Sequence, residues 1–510
     1  MGRRHLEKLL AYCPTGTAEG ERGIRSGVFV QFSTWTSLVV PPPYSPIVLI
    51  GKKGCGKSIL VDFSVDVLEA KGVPCAKLRP RDLSLDDVPE TASVSQAHAH
   101  AYGVLVRATA IALGEKLSGL LKKAEAALLD EAINAGVARS DLISKAAKLL
   151  PKVAKAVTDI DISTLLPEQP KEVAVHLDKS LKQALAETKS PKSVYVFLDD
   201  TDQVASPARP GQLNRIWGLL LAARELAELS PEIRCIITLR EEVWLRIAND
   251  RASQRDQTDH FFSLLRRLDP TSEQLKLIVR RRLDLAKQAA GDAAFVDRYE
   301  PFFDGTRPHM PGSDTVTSWE DLVATRSRGR PRDCIQLLHS LAKAALDANT
   351  DKILDSQVAP VVKTFSESRA DLLAQETEQE LPALKDVIKS FARRDIYDDG
   401  SFKATTSNAL AHLKTVPSMF SLRLYGSALQ AESNEHALRL LSFLYRVGFL
   451  NARRVRPGGR YAYVSPADEP NLASEANHNN LQTISWEVHP AFRDFLISHQ
   501  SELALRLRRT

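Results

Sequence analysis

The first half of the chain alternates short apolar runs with longer amphipathic stretches. A short apolar run typical of a buried strand occurs at Ile47–Ile50, and further strands are predicted at Val73–Leu78 and within Ser193–Ala205 and Ile233–Trp244. Between the last two, Leu213–Leu229 carries apolar residues at the spacing of an amphipathic helix. Strands that alternate with helices predict a parallel sheet covered by helices on both faces.

A long helical stretch interrupts this alternation. From about residue 93 to 185 the sequence is rich in Ala, Leu and Lys with a helical period. Because no strict heptad persists, we expect helices that pack together rather than a coiled-coil arm. A further short strand is predicted at Phe261–Leu265, and the helix after it has Ser and Thr near its start and Glu273 in its first turn, a capping signature. Beyond Arg328 the chain is predicted to be mostly helical.

The composition is that of a soluble globular protein. The chain has 510 residues, of which 44% are hydrophobic and 26% charged, and its net charge is +5. This length predicts two or three domains. Because the net charge is small, any preference for nucleic acid has to come from a local basic patch. No apolar stretch is long enough to span a bilayer and the N-terminus lacks the apolar core of a secretory signal, so we expect a cytoplasmic protein with no membrane partner.

The cysteines and histidines indicate neither a disulfide framework nor a metal centre. The five cysteines lie far apart and form no C-x-x-C pair. This spacing is typical of a reducing compartment and argues against a zinc ribbon. His98 and His100 lack further ligands at metal-binding spacing, so we interpret them as surface residues.

Candidate chemistry begins in the segment IVLIGKKGCGKSILVDF, where a predicted strand breaks into a glycine-rich turn before a helical pattern at Ser58–Ala70. Gly51, Gly56, Lys57 and Ser58 fit the spacing G-x-x-x-x-G-K-[ST]. Glycines let backbone N–H groups turn toward a phosphate, and the helix N-terminus adds its positive end. Lys57 is expected to reach the β- and γ-phosphates of ATP, and the Ser58 hydroxyl to hold Mg²⁺. The predicted nucleotide-binding segment consists of Gly51, Lys52, Lys53, Gly54, Cys55, Gly56, Lys57, Ser58 and Ile59.

A second signal is the acidic end of the predicted strand in VYVFLDDTD. Parallel strands place ligand sites at their carboxyl ends. Asp199 is expected to hold Mg²⁺, directly or through water, Asp200 to orient or deprotonate the attacking water, and Asp202 to support the pair. The alternative is an acidic strand end that faces solvent. The next strand ends at Arg240, whose guanidinium can sense a γ-phosphate or, alternatively, pair with a neighbouring glutamate.

Together these motifs resemble the STAND-type signalling ATPases and the related origin-recognition-like branch of AAA+ proteins. The resemblance covers about residues 45–350 and includes the phosphate loop, the FLDD strand, the TLR strand end (Thr238–Arg240) and the GRPRD segment (Gly329–Asp333). It implies ATP and Mg²⁺ as cofactors and Arg332 as a second nucleotide sensor on a helical lid. Through TLREEVW the chain is also similar to bacterial P-loop ATPases of defence-associated gene neighbourhoods. Asp200 stands where most AAA+ proteins have Glu, which favours the STAND side and implies slow turnover.

The C-terminal part has a different pattern, a predicted helix at Glu435–Val447 followed by a hairpin around a Pro-Gly-Gly turn. A helix followed by a hairpin is typical of a winged helix. The stretch from Arg446 to Ala467 contains basic residues and no acidic ones, with Tyr461 and Tyr463 on the return strand. Such a hairpin can track the phosphates of double-stranded DNA; alternatively, it makes protein contacts. The candidate DNA-contacting residues are Arg453, Arg454, Arg456 and Arg460.

These patterns predict an α/β fold, in which a P-loop NTPase parallel sheet carries a helical insert, a helical lid and a C-terminal winged-helix-like α+β region. The expected boundaries place an N-terminal segment at 1–44, the ATPase core at 45–268, the lid at 269–350 and the C-terminal domain at 351–510.

We interpret the chain as an ATP-binding and ATP-hydrolysing switch or assembly ATPase with slow turnover, in bacterial antiphage defence, that acts with a separate effector protein. It is expected to form a homo-oligomer when ATP binds, because an arginine of a neighbouring subunit often completes such sites. Two alternatives stay open: a DNA-binding AAA+ loader or initiator, and an ATP-binding scaffold with negligible turnover. The arginines that follow the TLR strand and are candidates for contact with a neighbouring subunit are Arg246, Arg251, Arg255, Arg266 and Arg267.

Overall fold

The chain divides into two compact units. The core unit comprises Thr17–Pro270, and the C-terminal unit comprises Met1–Gly16 together with Thr271–Thr510. Because helix α1 (Gly2–Tyr12) belongs to the C-terminal unit, the predicted N-terminal segment 1–44 contributes to both units. The structure is a computed structural model that describes residues 2–83, 88–116, 123–134, 170–187, 193–201, 210–249, 255–291, 297–305, 307–309, 317–398, 401–455, 461–466, 469, 471–474 and 478–507.

The core unit is built on a sheet of five parallel strands. They are β1 (Ile47–Gly51), β2 (Cys75–Leu78), β3 (Val194–Leu198), β4 (Ile233–Arg240) and β5 (Leu265–Arg267). Their order across the sheet is β2-β3-β4-β1-β5. Alternate residues of a strand face opposite sides, so Val196 joins the core on one face while Phe197 packs with Val61 on the other. The sheet is therefore buried on both faces, which confirms the predicted α/β fold.

Helices cover both faces of this sheet. In the described part of the core unit they are α2 (Arg25–Val28), α3 (Ser33–Thr36), α4 (Lys57–Ala70), α5 (Val94–Lys116), α6 (Lys123–Asn134), α7 (Pro170–Glu187), α8 (Pro210–Glu228), α9 (Glu241–Asn249) and α10 (Arg255–Phe262), with a 3₁₀ turn at Pro80–Leu83. Helices α5, α6 and α7 form the described part of the predicted insert, and they bury Leu105, Leu129 and Leu181 in the core shared with the sheet. Residues 135–169 of the insert lie outside the described residues.

In the C-terminal unit, helices pack around α1, whose Leu6 and Leu9 are buried together with Cys13, the residue that follows the helix. An antiparallel sheet in the order β10-β9-β11-β6 and a two-stranded hairpin of β7 and β8 follow. The described elements of the unit after α1 are α11 (Ser272–Ala290), α12 (Trp319–Arg326), α13 (Pro331–Asp347), α14 (Asp355–Glu376), α15 (Leu384–Ser390), a 3₁₀ turn (Arg394–Ile396), β6 (Lys403–Thr405), α16 (Thr406–Met419), β7 (Arg423–Leu424), β8 (Ser427–Ala428), α17 (Asn434–Arg446), β9 (Leu450–Val455), β10 (Tyr461–Val464), α18 (His478–Leu481), β11 (Ile484–Val488) and α19 (Pro490–Leu507).

Two local details differ from the sequence prediction. The last strand of the core sheet is Leu265–Arg267 rather than Phe261–Leu265. Phe261 instead belongs to α10, where its ring lies 4.9 Å from that of Trp217. The capping box of α11 uses Gln274 rather than Glu273: its backbone N–H donates to the Thr271 hydroxyl at 3.3 Å, and its side-chain oxygen accepts from the Thr271 N–H at 2.9 Å.

Two further features of the structure concern membrane-spanning helices and cysteines. No helix in the described ranges is both long enough and apolar enough to cross a membrane. The five cysteines are free thiols.

Candidate functional site

The loop between β1 and α4 has the backbone geometry of a phosphate-binding turn. Gly54 and Gly56 have φ angles of 81° and 107°, in the left-handed region that favours glycine. At Gly51 a Cβ atom would lie 2.7 Å from both the Cys55 Sγ and the Leu268 carbonyl oxygen, so only glycine fits. The glycines of this segment are therefore required by a tight turn that directs the start of α4 toward the loop.

Lys57 is the first residue of α4 and is only 9% exposed. Its ammonium group donates to the carbonyl oxygens of Gly51 at 2.8 Å and Lys52 at 3.2 Å. The loop thus surrounds the Lys57 ammonium. A bound phosphate would accept hydrogen bonds from this ammonium in place of the two carbonyl oxygens.

Ser58 and Asp199 are far apart in sequence and meet at the carboxyl edge of the sheet. The Ser58 hydroxyl donates to the Asp199 Oδ1 at 3.3 Å, across 141 residues of chain. Asp199 is fully buried and also accepts a hydrogen bond of 2.9 Å from the Thr238 hydroxyl. The structure therefore brings together the two residues that the sequence predicted as magnesium ligands.

The donor set at this point fits Mg²⁺. A hydroxyl and a carboxylate are hard oxygen donors, and Mg²⁺ usually takes one or two carboxylates with waters and substrate phosphates. Across the described ranges no group of three or more His, Cys, Asp or Glu side chains is placed to hold a metal. One carboxylate and one hydroxyl fit an ion that is shared with a phosphate-bearing substrate.

Asp200 is held in a strained conformation. Its φ angle is 55°, which is uncommon for a residue other than glycine, and such strain concentrates at functional sites. Its backbone N–H donates to the Thr238 hydroxyl at 3.0 Å, while the Thr201 hydroxyl donates to the Thr238 carbonyl oxygen at 2.6 Å. Thr238 thus fixes both neighbouring acids. Asp202 lies outside the described residues.

We expect Thr238→Val to lower the free energy of unfolding by about 1–3 kcal/mol, because a nearly isosteric side chain removes the hydroxyl that bonds to both the buried Asp199 Oδ1 and the Asp200 N–H. Chemical denaturation measures this loss. Thr238→Ser is the matched control, since it keeps the hydroxyl and removes only a methyl group. Equal losses in the two variants would contradict a role for the hydroxyl.

Arg240 ends β4 and lies beside Gly51 in the parallel register of the sheet. The predicted sensor is thus placed at the same edge of the sheet as the phosphate loop.

Two of the arginines predicted to contact a neighbouring subunit have partners in their own chain. Arg267 forms an ion pair with Glu241 at 2.9 Å, and Arg266 donates to the carbonyl oxygens of Ser263 and Leu265. Both therefore have partners within their own core unit.

Of the remaining candidates for contact with a neighbouring subunit, the structure describes Arg246 fully and Arg255 only in its backbone. Arg246 is half-buried on α9. The backbone of Arg255 begins α10, whereas its side chain and the whole of Arg251 lie outside the described residues.

The predicted lid motif lies within the C-terminal unit. Arg332 is in the first turn of α13 and donates from Nε to the Gly16 carbonyl oxygen at 3.2 Å. Next to it, the buried Asp333 forms ion pairs with Arg328 at 3.3 Å and Arg369 at 2.5 Å. Burial and the nearby Arg330 lower the pKa of Arg328 to about 10. The motif is therefore anchored by buried charge pairs on both sides of Arg332.

The basic hairpin of β9 and β10 is less positive than its sequence suggests. Arg454 forms a two-bond pair with Glu469, at 2.8 and 2.7 Å, which raises the pKa of the arginine and lowers that of the glutamate. Arg453 is buried, lies 3.6 Å from Glu487 and stacks on the Tyr461 ring. The two arginines that were predicted to face DNA phosphates therefore already have acidic partners within the protein, Glu469 and Glu487. Arg456 and Arg460 lie outside the described residues.

A second basic surface lies on helix α17. Glu435, Arg439, Ser442 and Arg446 follow one another at helical spacing and line a cavity of about 430 Å³. Within the described part of the chain Arg439 has no ion-pair partner, and Arg446 contacts the Ser442 carbonyl oxygen at 3.4 Å. The sequence pattern grouped Arg446 with the hairpin and gave no signal for Arg439.

A charged cluster behind the phosphate loop was not predicted from the sequence. Lys77 of β2 lies 3.5 Å from the Asp199 Oδ2 and donates to Asp62 of α4. Arg25 in turn forms ion pairs of 2.6 Å with both Asp62 and Asp66. The available signal was a lysine inside the segment CAKL, which the pattern predicted to be a strand.

Comparison with known proteins gives one curated relative and several solved structures. No family model matches the chain. Over 499 residues, 93% of the chain, it is 21% identical to a protein of Escherichia coli (strain K12) named putative transposon gamma-delta 80.3 kDa protein, and it spans 65% of that relative's length.

The solved structures to which the chain is similar have low TM-scores. The ORC2 protein of Aeropyrum pernix, in ADPNP–ADP complexes, is 13% identical with a TM-score of 0.40, and the match covers 95% of both chains. Cdc6p of Pyrobaculum aerophilum is 13% identical with a TM-score of 0.31, over 96% of this chain and 95% of its own. Drosophila ORC bound to DNA is 11% identical with a TM-score of 0.32, over 88% and 90% of the two chains. The assignment of an α/β P-loop fold therefore rests on the sheet order and the loop of this chain itself.

Proposed function

We propose that this chain is an ATP-dependent switch that binds ATP with Mg²⁺ at the loop between β1 and α4 and hydrolyses it slowly. The observation that carries the proposal is the meeting of Ser58 with Asp199 at 3.3 Å, beside a glycine turn that holds the ammonium of Lys57. All three side chains lie at the carboxyl edge of the sheet, where parallel α/β folds bind ligands.

Each residue then has a physical task. Lys57 and the N–H groups at the start of α4 bind the phosphates. Ser58 and Asp199 hold Mg²⁺, which when bound neutralises charge on the phosphate oxygens. Asp200 orients the attacking water and accepts its proton, held in place by the hydrogen bond from its N–H to Thr238. Its side chain is one methylene shorter than that of Glu, which supports slow turnover.

The wider role is proposed from the sequence resemblance. We propose that Arg240 senses the γ-phosphate, that Arg332 acts as a second nucleotide sensor as the resemblance implies, that ATP binding favours a homo-oligomer, and that a separate effector protein responds to the nucleotide state. The proposed role in antiphage defence rests on the same resemblance.

The direct test is ATP binding by calorimetry with and without Mg²⁺, followed by steady-state phosphate release from the full chain. We expect binding that strengthens with Mg²⁺ and a slow but measurable release. No binding in either condition would overturn the proposal. Binding without any release would favour the scaffold alternative.

A second candidate function, a DNA-binding loader or initiator, is favoured by the arginines on α17. Arg439 and Arg446 lie on the same helix face and border an open cavity, which suits contacts with backbone phosphates. The name of the Escherichia coli relative, which associates that protein with a transposon, is compatible with this function.

We expect the salt dependence of DNA binding to distinguish the two basic surfaces. In the full chain, Arg439→Ala with Arg446→Ala should reduce the slope of log affinity against log salt by about 0.9 for each phosphate that is no longer neutralised. The matched variant, Arg453→Ala with Arg454→Ala, should leave the slope nearly unchanged, because both arginines already face glutamates. Filter binding across a range of salt concentrations measures the slopes. A larger drop in the hairpin variant would assign the DNA contact to the hairpin, and no salt-sensitive binding would exclude this second function.

A further inference from the structure

Among the described residues, Asp199 is a buried carboxylate with one oxygen that accepts no hydrogen bond. Its Oδ1 accepts from Ser58 and Thr238, whereas its fully buried Oδ2 accepts from no group among the described residues. The ammonium of Lys77 lies 3.5 Å from that Oδ2. An isolated buried carboxylate is costly, so this ammonium neutralises a charge that would otherwise destabilise the site.

Lys77 has a second carboxylate within reach. Its ammonium also donates to the Oδ1 of Asp62, which lies on α4 behind the phosphate loop. Arg25 holds Asp62 in place through an ion pair of 2.6 Å and contacts Asp66 one turn further along the helix. Charges therefore alternate in sign from Arg25 through Asp62 and Lys77 to Asp199.

We propose that Lys77 is a positioning residue that sets the affinity of this site for Mg²⁺. Its ammonium neutralises Asp199 before the metal binds, and it moves fully onto Asp62 when Mg²⁺ approaches the carboxylate. The inference rests on the proposed function, since it assigns Asp199 to the metal.

The physical reason is competition between two cations for one carboxylate. Like charges a few ångströms apart in a buried site repel strongly, because the effective dielectric constant is well below that of water. Mg²⁺ therefore binds against the repulsion of Lys77, and Asp62 reduces that repulsion by offering the ammonium an alternative partner. Arg25 limits how strongly Asp62 attracts Lys77, since it shares the same carboxylate.

This arrangement predicts opposite effects for two substitutions. Lys77→Met removes the competing charge and should tighten divalent-cation binding about tenfold. Asp62→Asn removes the alternative partner, directs Lys77 onto Asp199 and should weaken cation binding by a similar factor. Both variants lose an ion pair, so a purely structural role would change the affinity in the same direction in both.

The experiment measures binding of Mn²⁺, a paramagnetic substitute for Mg²⁺, to the full chain with saturating ADP by electron paramagnetic resonance. Lys77→Arg keeps the positive charge and should stay near wild type, and Lys71→Met, at an exposed lysine after α4, controls for loss of charge in general. Thermal unfolding shows that each variant is folded.

Tighter Mn²⁺ binding in Lys77→Met with weaker binding in Asp62→Asn supports the inference. Unchanged or weaker binding in a folded Lys77→Met variant overturns it while leaving the proposed function intact. A wild-type chain that binds neither ADP nor Mn²⁺ overturns the proposed function and the inference together.

Discussion

Lys57→Ala is expected to bind ATP about 100-fold more weakly than the wild-type chain. Charge-assisted hydrogen bonds contribute about 1.5–3 kcal/mol each, and 1.4 kcal/mol corresponds to a factor of ten in affinity. The Lys57 ammonium lies at the centre of the glycine turn, 2.8 Å from the Gly51 carbonyl oxygen, so a bound phosphate would meet it directly. Isothermal titration calorimetry with ATP and Mg²⁺ measures the difference.

The Lys57→Ala variant has to be shown to be folded before its ATP affinity is interpreted. Lys57 is buried and bonds to two loop carbonyls. Some loss of thermal stability is therefore expected, and the unfolding temperature has to show that the variant is folded where binding is measured. Lys71→Ala, at an exposed position, should retain wild-type affinity. Unchanged ATP affinity in a folded Lys57→Ala variant would remove the phosphate loop as the nucleotide site.

Asp200→Asn is expected to bind ATP with Mg²⁺ normally and to hydrolyse it about 10²–10⁴-fold more slowly. Asn has nearly the shape of Asp but cannot accept the proton of the attacking water, and general base catalysis accounts for a factor of this size. Asn is also a conservative choice for the backbone, because it tolerates the left-handed conformation that the φ of 55° requires. Single-turnover phosphate release measures the rate, and calorimetry measures the binding.

The paired variant is Asp199→Asn, in which the other acid loses its charge. Asp199 lies beside Ser58, whereas Asp200 is held through its backbone by Thr238. We therefore expect Asp199→Asn to weaken the dependence of ATP binding on Mg²⁺, and Asp200→Asn to leave that dependence in place. Identical effects of the two variants on Mg²⁺ affinity and rate would show that the division of tasks is wrong.

The hairpin shows where charge counting along the chain misleads. From Arg446 to Ala467 the sequence has five basic residues and no acidic one, so the pattern favoured a positive surface. The two acids that neutralise Arg454 and Arg453, Glu469 and Glu487, lie 15 and 34 residues further along and reach them only because β11 pairs with β9 and the chain folds back. Local composition cannot include partners that the sheet supplies from elsewhere.

The sequence by itself determined the parts of this protein whose causes are local. Steric limits on φ favour glycine at two positions of the loop after β1, Gly54 and Gly56. Apolar periodicity within a few residues distinguishes buried strands from amphipathic helices. The phosphate loop, four of the five core strands and the α/β class could therefore be predicted. Only the tertiary structure decided the features that depend on distant partners. The placement of Lys77 against Asp199 and Asp62, the clamp of Thr238 on both acids and the shift of β5 to Leu265–Arg267 all follow from which strands lie side by side. The physical reason is that a hydrogen bond or an ion pair acts over a few ångströms of space, while the residues that make these contacts are separated by tens to more than a hundred positions in the chain.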